Sequence, residues 1–232
     1  MGRLYLLPSL MSDCPPQNVL PAANFAVMDG IRHFIVENVR TARRFLRRCN
    51  PAFPIDDCSF AVIDTHTAAE TLPAMLEPLR RGHDMGVISE AGCPAVADPG
   101  ADIVAIAQRE GLEVVPLVGP SSILMSLMGS GFNGQSFAFL GYLPIEPAQR
   151  RRAISDMAER VRRQRQTQIF IETPYRNNRL VAELAAALPS DMRLCVASDI
   201  TGPGQKILTL PLSKWKARQY DYAKTPTIFL LG

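Results

Sequence analysis

The residues with the most chemical content stand in three segments, each running from an apolar stretch into a turn of small, polar or cyclic side chains. The first is Ser89-Glu90-Ala91-Gly92-Cys93-Pro94-Ala95-Val96-Ala97-Asp98-Pro99-Gly100. Small side chains there expose backbone amides and carbonyls, the groups that hydrogen-bond a carboxylate or an ammonium, and let a ligand approach closely. In the second, Val115-Pro116-Leu117-Val118 leads into Gly119-Pro120-Ser121-Ser122. Either serine can cap a helix whose N-terminus favours polar or anionic groups. In the third, Ile169-Phe170-Ile171 leads into Glu172-Thr173-Pro174-Tyr175-Arg176. Singly, each also reads as an ordinary strand-to-helix connection. Together they could line one cleft, because ligands of open α/β sheets bind at the carboxyl ends of strands.

Other chemistries find little support. Cys14, Cys49, Cys58, Cys93 and Cys195 are odd in number, widely spaced and never C-x-x-C, which suits reduced thiols in the cytoplasm. His33, His66 and His83 are isolated, and no His, Cys or carboxylate cluster has metal-ligand spacing, so no metal is expected. Gly129-Ser130-Gly131-Phe132-Asn133-Gly134 fits G-x-G-x-x-G, but it follows a helical stretch and precedes a strand, the reverse of a dinucleotide-binding turn. The net charge of +3 permits a polyanionic partner without requiring one. Its arginines gather at Arg40, Arg43, Arg44, Arg47 and Arg48, and again at Arg150, Arg151, Arg152, Arg160, Arg162, Arg163 and Arg165. These are either solvated helix faces or phosphate-contacting surfaces.

The elements that must position these groups follow from the hydrophobic pattern. Strands are predicted over residues 4–7, 33–36, 60–63, 85–89, 113–117, 136–140, 168–172, 193–197, 207–210 and 227–231. Helices are predicted over 41–48, 68–81, 101–109, 148–165 and 179–188, the second short or kinked by Pro73 and Pro78. Alternation of strands and crossover helices predicts a largely parallel α/β sheet first. After Gly119-Pro120 a small-residue helix and antiparallel pairs are expected, with a domain boundary between residues 117 and 118. The apolar runs are far shorter than the roughly 20 residues of a membrane helix, and the apolar N-terminal run is too short for a signal sequence. The 47% hydrophobic and 20% charged composition is that of a folded globular chain.

In this order, the three segments closely resemble the tetrapyrrole methylase superfamily, specifically its ribosomal RNA 2′-O-methyltransferase branch. Residues 89–100 match a serine-acidic-Ala-Gly-x-Pro loop ending in Asp-Pro-Gly, and 116–121 match Pro-x-x-Gly-Pro-Ser. Ser130-Gly131-Phe132, the Phe-x-Gly-x-Leu-Pro of residues 139–144 and the Glu-x-Pro-x-Arg of 172–176 follow in turn. Upstream, Glu37-Asn38-Val39-Arg40 is similar to an acidic-Asp-Thr-Arg motif.

The resemblance implies two α/β domains, residues 1–117 and 118–232, the first with a parallel and the second with a mixed sheet, and S-adenosylmethionine in the cleft between them. It also implies a homodimer. Carried over by position, Ser89, Glu90, Ala91, Gly92, Cys93, Pro94, Ala97 and Asp98 would hold the methionine moiety. Gly119, Pro120, Ser121 and Ser122 would support it, while Glu172, Thr173, Pro174, Thr225, Pro226 and Thr227 would face the nucleoside. Glu37 and Glu172 are the candidate bases, with Arg40 to orient one of them or to hold a substrate phosphate. Each also has a structural reading, since a strand-end glutamate commonly caps a neighbouring helix.

Two departures bear on the acceptor. The chain stops soon after its last predicted strand, where that branch continues into a small helical domain, and Asn38, Val39, Cys93 and residues 95–97 replace more polar or branched residues. An RNA methyltransferase acting through the arginine clusters is the first expectation. A small-molecule, tetrapyrrole-like methyltransferase ranks below it, because Leu7-Pro8-Ser9-Leu10-Met11 stands where a glycine-rich turn would be. A non-catalytic S-adenosylmethionine-binding sensor or assembly protein is the third.

Overall fold

In the computed structural model, which describes residues 2–232, the hydrophobic alternation of the first strands resolves directly into two buried faces. Along β1 (Arg3–Leu7), Leu4 and Leu6 join one apolar cluster, and Tyr5 and Leu7 join the other. A strand's side chains point alternately to the two faces, so a sheet covered on both sides needs apolar residues at successive positions. β2 (His33–Val36), β3 (Ser59–Val62), β4 (Met85–Ile88) and β5 (Glu113–Pro116) complete a wholly parallel sheet in the order β3-β2-β4-β1-β5. The helices of this part are α1 (Ala22–Gly30), α2 (Val39–Cys49), α3 (Leu72–Met75), α4 (Glu77–Arg80) and α5 (Gly100–Arg109).

Gly86 makes the centre of that sheet possible. It pairs with Tyr5 on one side and Phe34 on the other, and a Cβ there would lie 2.6 Å from Leu7 Cδ1 and 3.0 Å from Phe34 Cδ1. The helix expected over residues 68–81 is broken as its prolines require. A 3-10 turn (Ala69–Thr71) is followed by α3 and α4, each with proline in its first turn, where the missing N–H costs no helical bond. Helix α1 was not evident in the sequence, since it buries only Asn24 and Met28 and carries no helical stripe.

The second compact unit begins at Ser122, the first ending at Ser121. It contains α6 (Ser122–Ser130), β6 (Phe137–Tyr142), α7 (Pro147–Gln164), β7 (Thr167–Ile171), α8 (Asn177–Ala187), β8 (Arg193–Ser198), β9 (Lys206–Pro211), α9 (Leu212–Ala217) and β10 (Thr227–Leu231). Its sheet runs β6-β7-β10-β8-β9 and is mixed. β6 is parallel to β7, and every other neighbour pair is antiparallel. One apolar cluster is built around Trp215, Phe170 and Phe229, whose strands and helices α7, α8 and α9 supply its residues. Trp215 Nε1 donates to Leu194 O at 2.9 Å, so the indole is buried without an unpaired donor. Helix α6 packs on β8, β9 and β10. Gly129 permits this approach, because a Cβ there would meet Ile207 Cδ1 at 2.6 Å. The first glycine of G-x-G-x-x-G is thus a helix-packing glycine. Gly131, at φ +72°, follows the end of α6.

Candidate functional site

In a parallel sheet all carboxyl ends lie on one edge, so the connections after β1, β2, β4 and β5 gather there by topology. The loop after β4 is the centre of the group. Ser9 N–H donates to Gly92 O at 2.9 Å, tying in the turn after β1. The Cys93 thiol donates to Pro120 O at 3.4 Å, tying in the segment after β5. Glu90 N–H donates to Glu37 Oε1 at 2.9 Å, tying in the end of β2, and Thr41 Oγ1 donates to Glu90 Oε1. The structure therefore brings together Glu37, residues 89–98 and the 119–121 segment. Arg40 is exposed in the first turn of α2 and makes no ion pair among the described residues.

The loop's shape comes from three left-handed residues and one carboxylate. Gly92 has φ +73°, Ala95 +65° and Ala97 +61°. An alanine in that region carries a steric cost that the surrounding structure must offset. Asp98 Oδ1 does so by accepting from Ala95 N at 3.0 Å and Gly100 N at 2.7 Å. Burial raises the Asp98 pKa against the lowering effect of the N–H groups of Gly100, Ala95 and Val96. Glu37 is also raised, first by burial and then by the nearby Asp98 and Glu90 charges, with the Glu90 N–H opposing.

Asn38, one departure from the resembled motif, keeps a helix-capping acceptor in place. Its Oδ1 accepts from Arg40 N at 2.9 Å and Thr41 N at 3.3 Å, capping α2 as an aspartate would. Ser9 was not singled out in the sequence. Its hydroxyl is buried and makes no hydrogen bond within the described residues, and the same holds for Asp98 Oδ2. A cavity of 270 Å³ adjoins this edge, lined in part by Ser9, Met11, Thr41, Arg44 and Glu90. The two orphaned polar atoms, one in the turn after β1 and one in the loop after β4, each suit a ligand that brings its own donors, such as an amino-acid ammonium.

In the second unit, antiparallel pairing of β7 with β10 sets Ile171 beside Ile228, which brings residues 172–174 next to 225–227. Asn177 Nδ2 donates to Tyr222 O at 3.0 Å and Thr225 O at 2.9 Å, and Lys224 N to Pro174 O at 3.2 Å. Glu172 is buried, its Oε1 accepting from Thr173 N at 2.8 Å and its Oε2 standing 3.0 Å from Arg150 Nη2. Arg150 Nε also reaches Glu183 at 2.8 Å. Arg150 therefore leaves the arginine cluster to which its position assigned it and serves an internal ion-pair triad. Sequence spacing carried no signal for a contact from α7 to the end of β7.

The first cluster is largely spent as well. Arg43 pairs with Asp56 at 3.1 Å and Arg48 with Asp13 at 2.6 Å, while Arg47 donates to Pro51 O at 2.6 Å. Among the described residues no group of His, Cys, Asp and Glu could hold a metal, and no helix is long and apolar enough to cross a membrane.

A parallel sheet with a folded, amide-rich loop at its carboxyl edge, followed by a mixed-sheet α/β unit, defines a two-unit protein of the strand-end ligand-binding class. A family model described as Tetrapyrrole (Corrin/Porphyrin) Methylases matches residues 27–215. The chain belongs to that family, and the membership places it among the methyltransferases. It is 27% identical over 208 residues to the ribosomal RNA small subunit methyltransferase I of Vibrio cholerae, covering 88% of this chain and 69% of the relative. It is 32% identical over 161 residues to the protein of the same name from Mesorhizobium japonicum, covering 69% of this chain and 53% of the relative. Among solved structures, the methyltransferase CobJ superposes with a TM-score of 0.65 at 17% identity, over 100% of this chain and 94% of that one. Uroporphyrin III C-methyltransferase from Thermus thermophilus gives 0.58 at 14%, over 100% and 97%. These two likenesses establish the expected fold.

Proposed function

We propose that this chain uses S-adenosylmethionine to methylate a ribose 2′-hydroxyl of RNA, ribosomal RNA foremost. The observation that carries the reading is the loop over residues 89–98, stitched to the ends of β1, β2 and β5 by Ser9, Glu37 and Cys93, in a chain related to two ribosomal RNA methyltransferases. Alternating backbone sign in such a loop is the conformation in which amides form anion-binding concavities. That concavity suits the cofactor's carboxylate, and Ser9 Oγ and Asp98 Oδ2 are free to accept from its ammonium.

The cofactor supplies an electrophilic methyl on a sulfonium. The protein's part is to align the acceptor oxygen and to take its proton. Glu37 is the proposed base, since burial and two neighbouring carboxylates bring its proton affinity closer to the working pH. Arg40, one turn along, is placed to hold an adjoining phosphate. Glu172 is already engaged by Arg150 and Thr173 N–H, an arrangement suited to holding its loop in shape. The homodimer implied by the resemblance, and the cytoplasmic location that the scattered cysteines suit, are part of the proposal.

The test is transfer of labelled methyl from the cofactor into total RNA of a strain lacking the gene, followed by nuclease mapping. Label in a ribose of ribosomal RNA is the expected result. Label confined to small molecules would replace the RNA reading, and cofactor binding with no transfer to any fraction would favour a sensor.

A further inference from the structure

The second unit carries a surface that none of these assignments uses. A groove of 930 Å³ lies between α7 and α8, lined by five arginines and two glutamates. That excess of three positive charges equals the +3 of the whole chain, so outside the groove the formal charges cancel. An adjoining cavity of 290 Å³ shares Ile145, Arg150 and Arg179 and continues to Arg176 at the loop after β7.

The cations there are not alike. Arg150 is neutralised by Glu172 and Glu183, and Arg163 by Glu159 one turn away at 3.1 Å. Arg151, Arg162, Arg176 and Arg179 are exposed and form no salt bridge among the described residues. Glu146, whose pKa is lowered chiefly by the N–H groups of Ala148 and Gln149, also feels the Arg151 charge. Arg151 and Arg162 are eleven positions apart on α7, about three turns and ~16 Å along one face. Next to Arg176 in the chain, Tyr175 is 79% exposed.

We propose that this groove is the path of the RNA phosphodiester backbone and that Tyr175 stacks one of its bases. The proposal rests on the RNA reading above and locates the contact. A row of unpaired guanidiniums ending at an open aromatic side chain is the combination by which proteins hold single-stranded nucleic acid. Arg163 spends its charge on Glu159 at i,i+4, whereas Arg151 and Arg162 form no such pair and keep theirs available to a phosphate. An acidic protein surface would use the charge but leave the tyrosine without purpose.

The experiment measures anisotropy of a fluorescein-labelled RNA of about 16 nucleotides over a salt series, with cofactor affinity by calorimetry and methyl transfer to RNA measured in parallel. Relative to the charge-matched control K214Q/K216Q on exposed α9 residues, R151Q/R162Q should bind RNA about tenfold or more weakly. Its plot of log affinity against log salt should flatten by about 0.7 per arginine. Y175A should lose at least about fivefold with the slope unchanged, and Y175F should restore it. Cofactor affinity should be the same in all, which reports that each variant is folded. The groove assignment falls if R151Q/R162Q matches the control while the wild type binds and methylates RNA, or if polyglutamate displaces RNA as well as unlabelled RNA does. Stacking falls if Y175A binds like the wild type. A wild type that binds cofactor but neither binds nor methylates RNA would instead overturn the RNA reading itself.

Discussion

Glu37, the proposed base, is held in an environment that works against its ionised form. Its Oε1 accepts the Glu90 N–H, while burial and the Asp98 and Glu90 carboxylates hold its pKa above the ordinary value. A raised folded-state pKa contributes stability below the unfolded value, and that contribution is lost as pH rises through the folded value. At neutral pH the ionised carboxylate is therefore a burden, kept small by solvent screening because the side chain is only partly buried. Glu37→Gln keeps an acceptor for the same N–H and removes the charge. Its thermal midpoint should lie about 1–2 °C above the wild type at pH 7 and coincide with it at pH 4, where an unperturbed glutamate is about half protonated or more. If Glu37 takes the acceptor's proton, methyl transfer should fall about 10²- to 10⁴-fold with cofactor affinity retained. An activity loss without the pH-dependent gain in stability would point to a disturbed loop.

At the scale of elements, the central strand is held to its neighbours by an absence. Gly86 lets Leu7 of β1 and Phe34 of β2 occupy the space over β4. Gly86→Ala should cost about 1–3 kcal/mol through overpacking, read as a lower urea midpoint at unchanged slope. A neutral result would mean that the two side chains can part without loss. The strand pattern was legible throughout, because each strand is a short apolar run ending at a turn. The helices were legible only where a stripe repeated. α2 alternates arginines with Ala42, Phe45 and Leu46 and could be read, while α1 and the six-residue α9 could not. The prolines at 73 and 78 announced a break but not its form, two short helices behind a 3-10 turn.

At the scale of the whole molecule, each unit has its own sheet and its own core. Damage to one core should therefore register in one unit. Arg150→Ala leaves buried Glu172 without its partner, a loss of about 3–5 kcal/mol. Hydrogen exchange should accelerate in β6 to β10 and remain at the wild-type rate in β1 to β5. Exchange rising equally in both sheets would show that the units unfold as one.

The sequence by itself determined the class of fold, the ten strands and the ordered motifs that mark the methylase family. Those properties are local, written in runs of apolar residues, turn formers and spacing along one stretch of chain. Only the tertiary structure decided what the charged groups do. It gave Arg150 to Glu172 and Glu183 and Arg43 and Arg48 to carboxylates of the first unit, and left Arg151, Arg162, Arg176 and Arg179 exposed and outside any salt bridge among the described residues. A charge carries the same symbol in sequence whether it is neutralised or free, because its partner is chosen by packing between elements far apart along the chain.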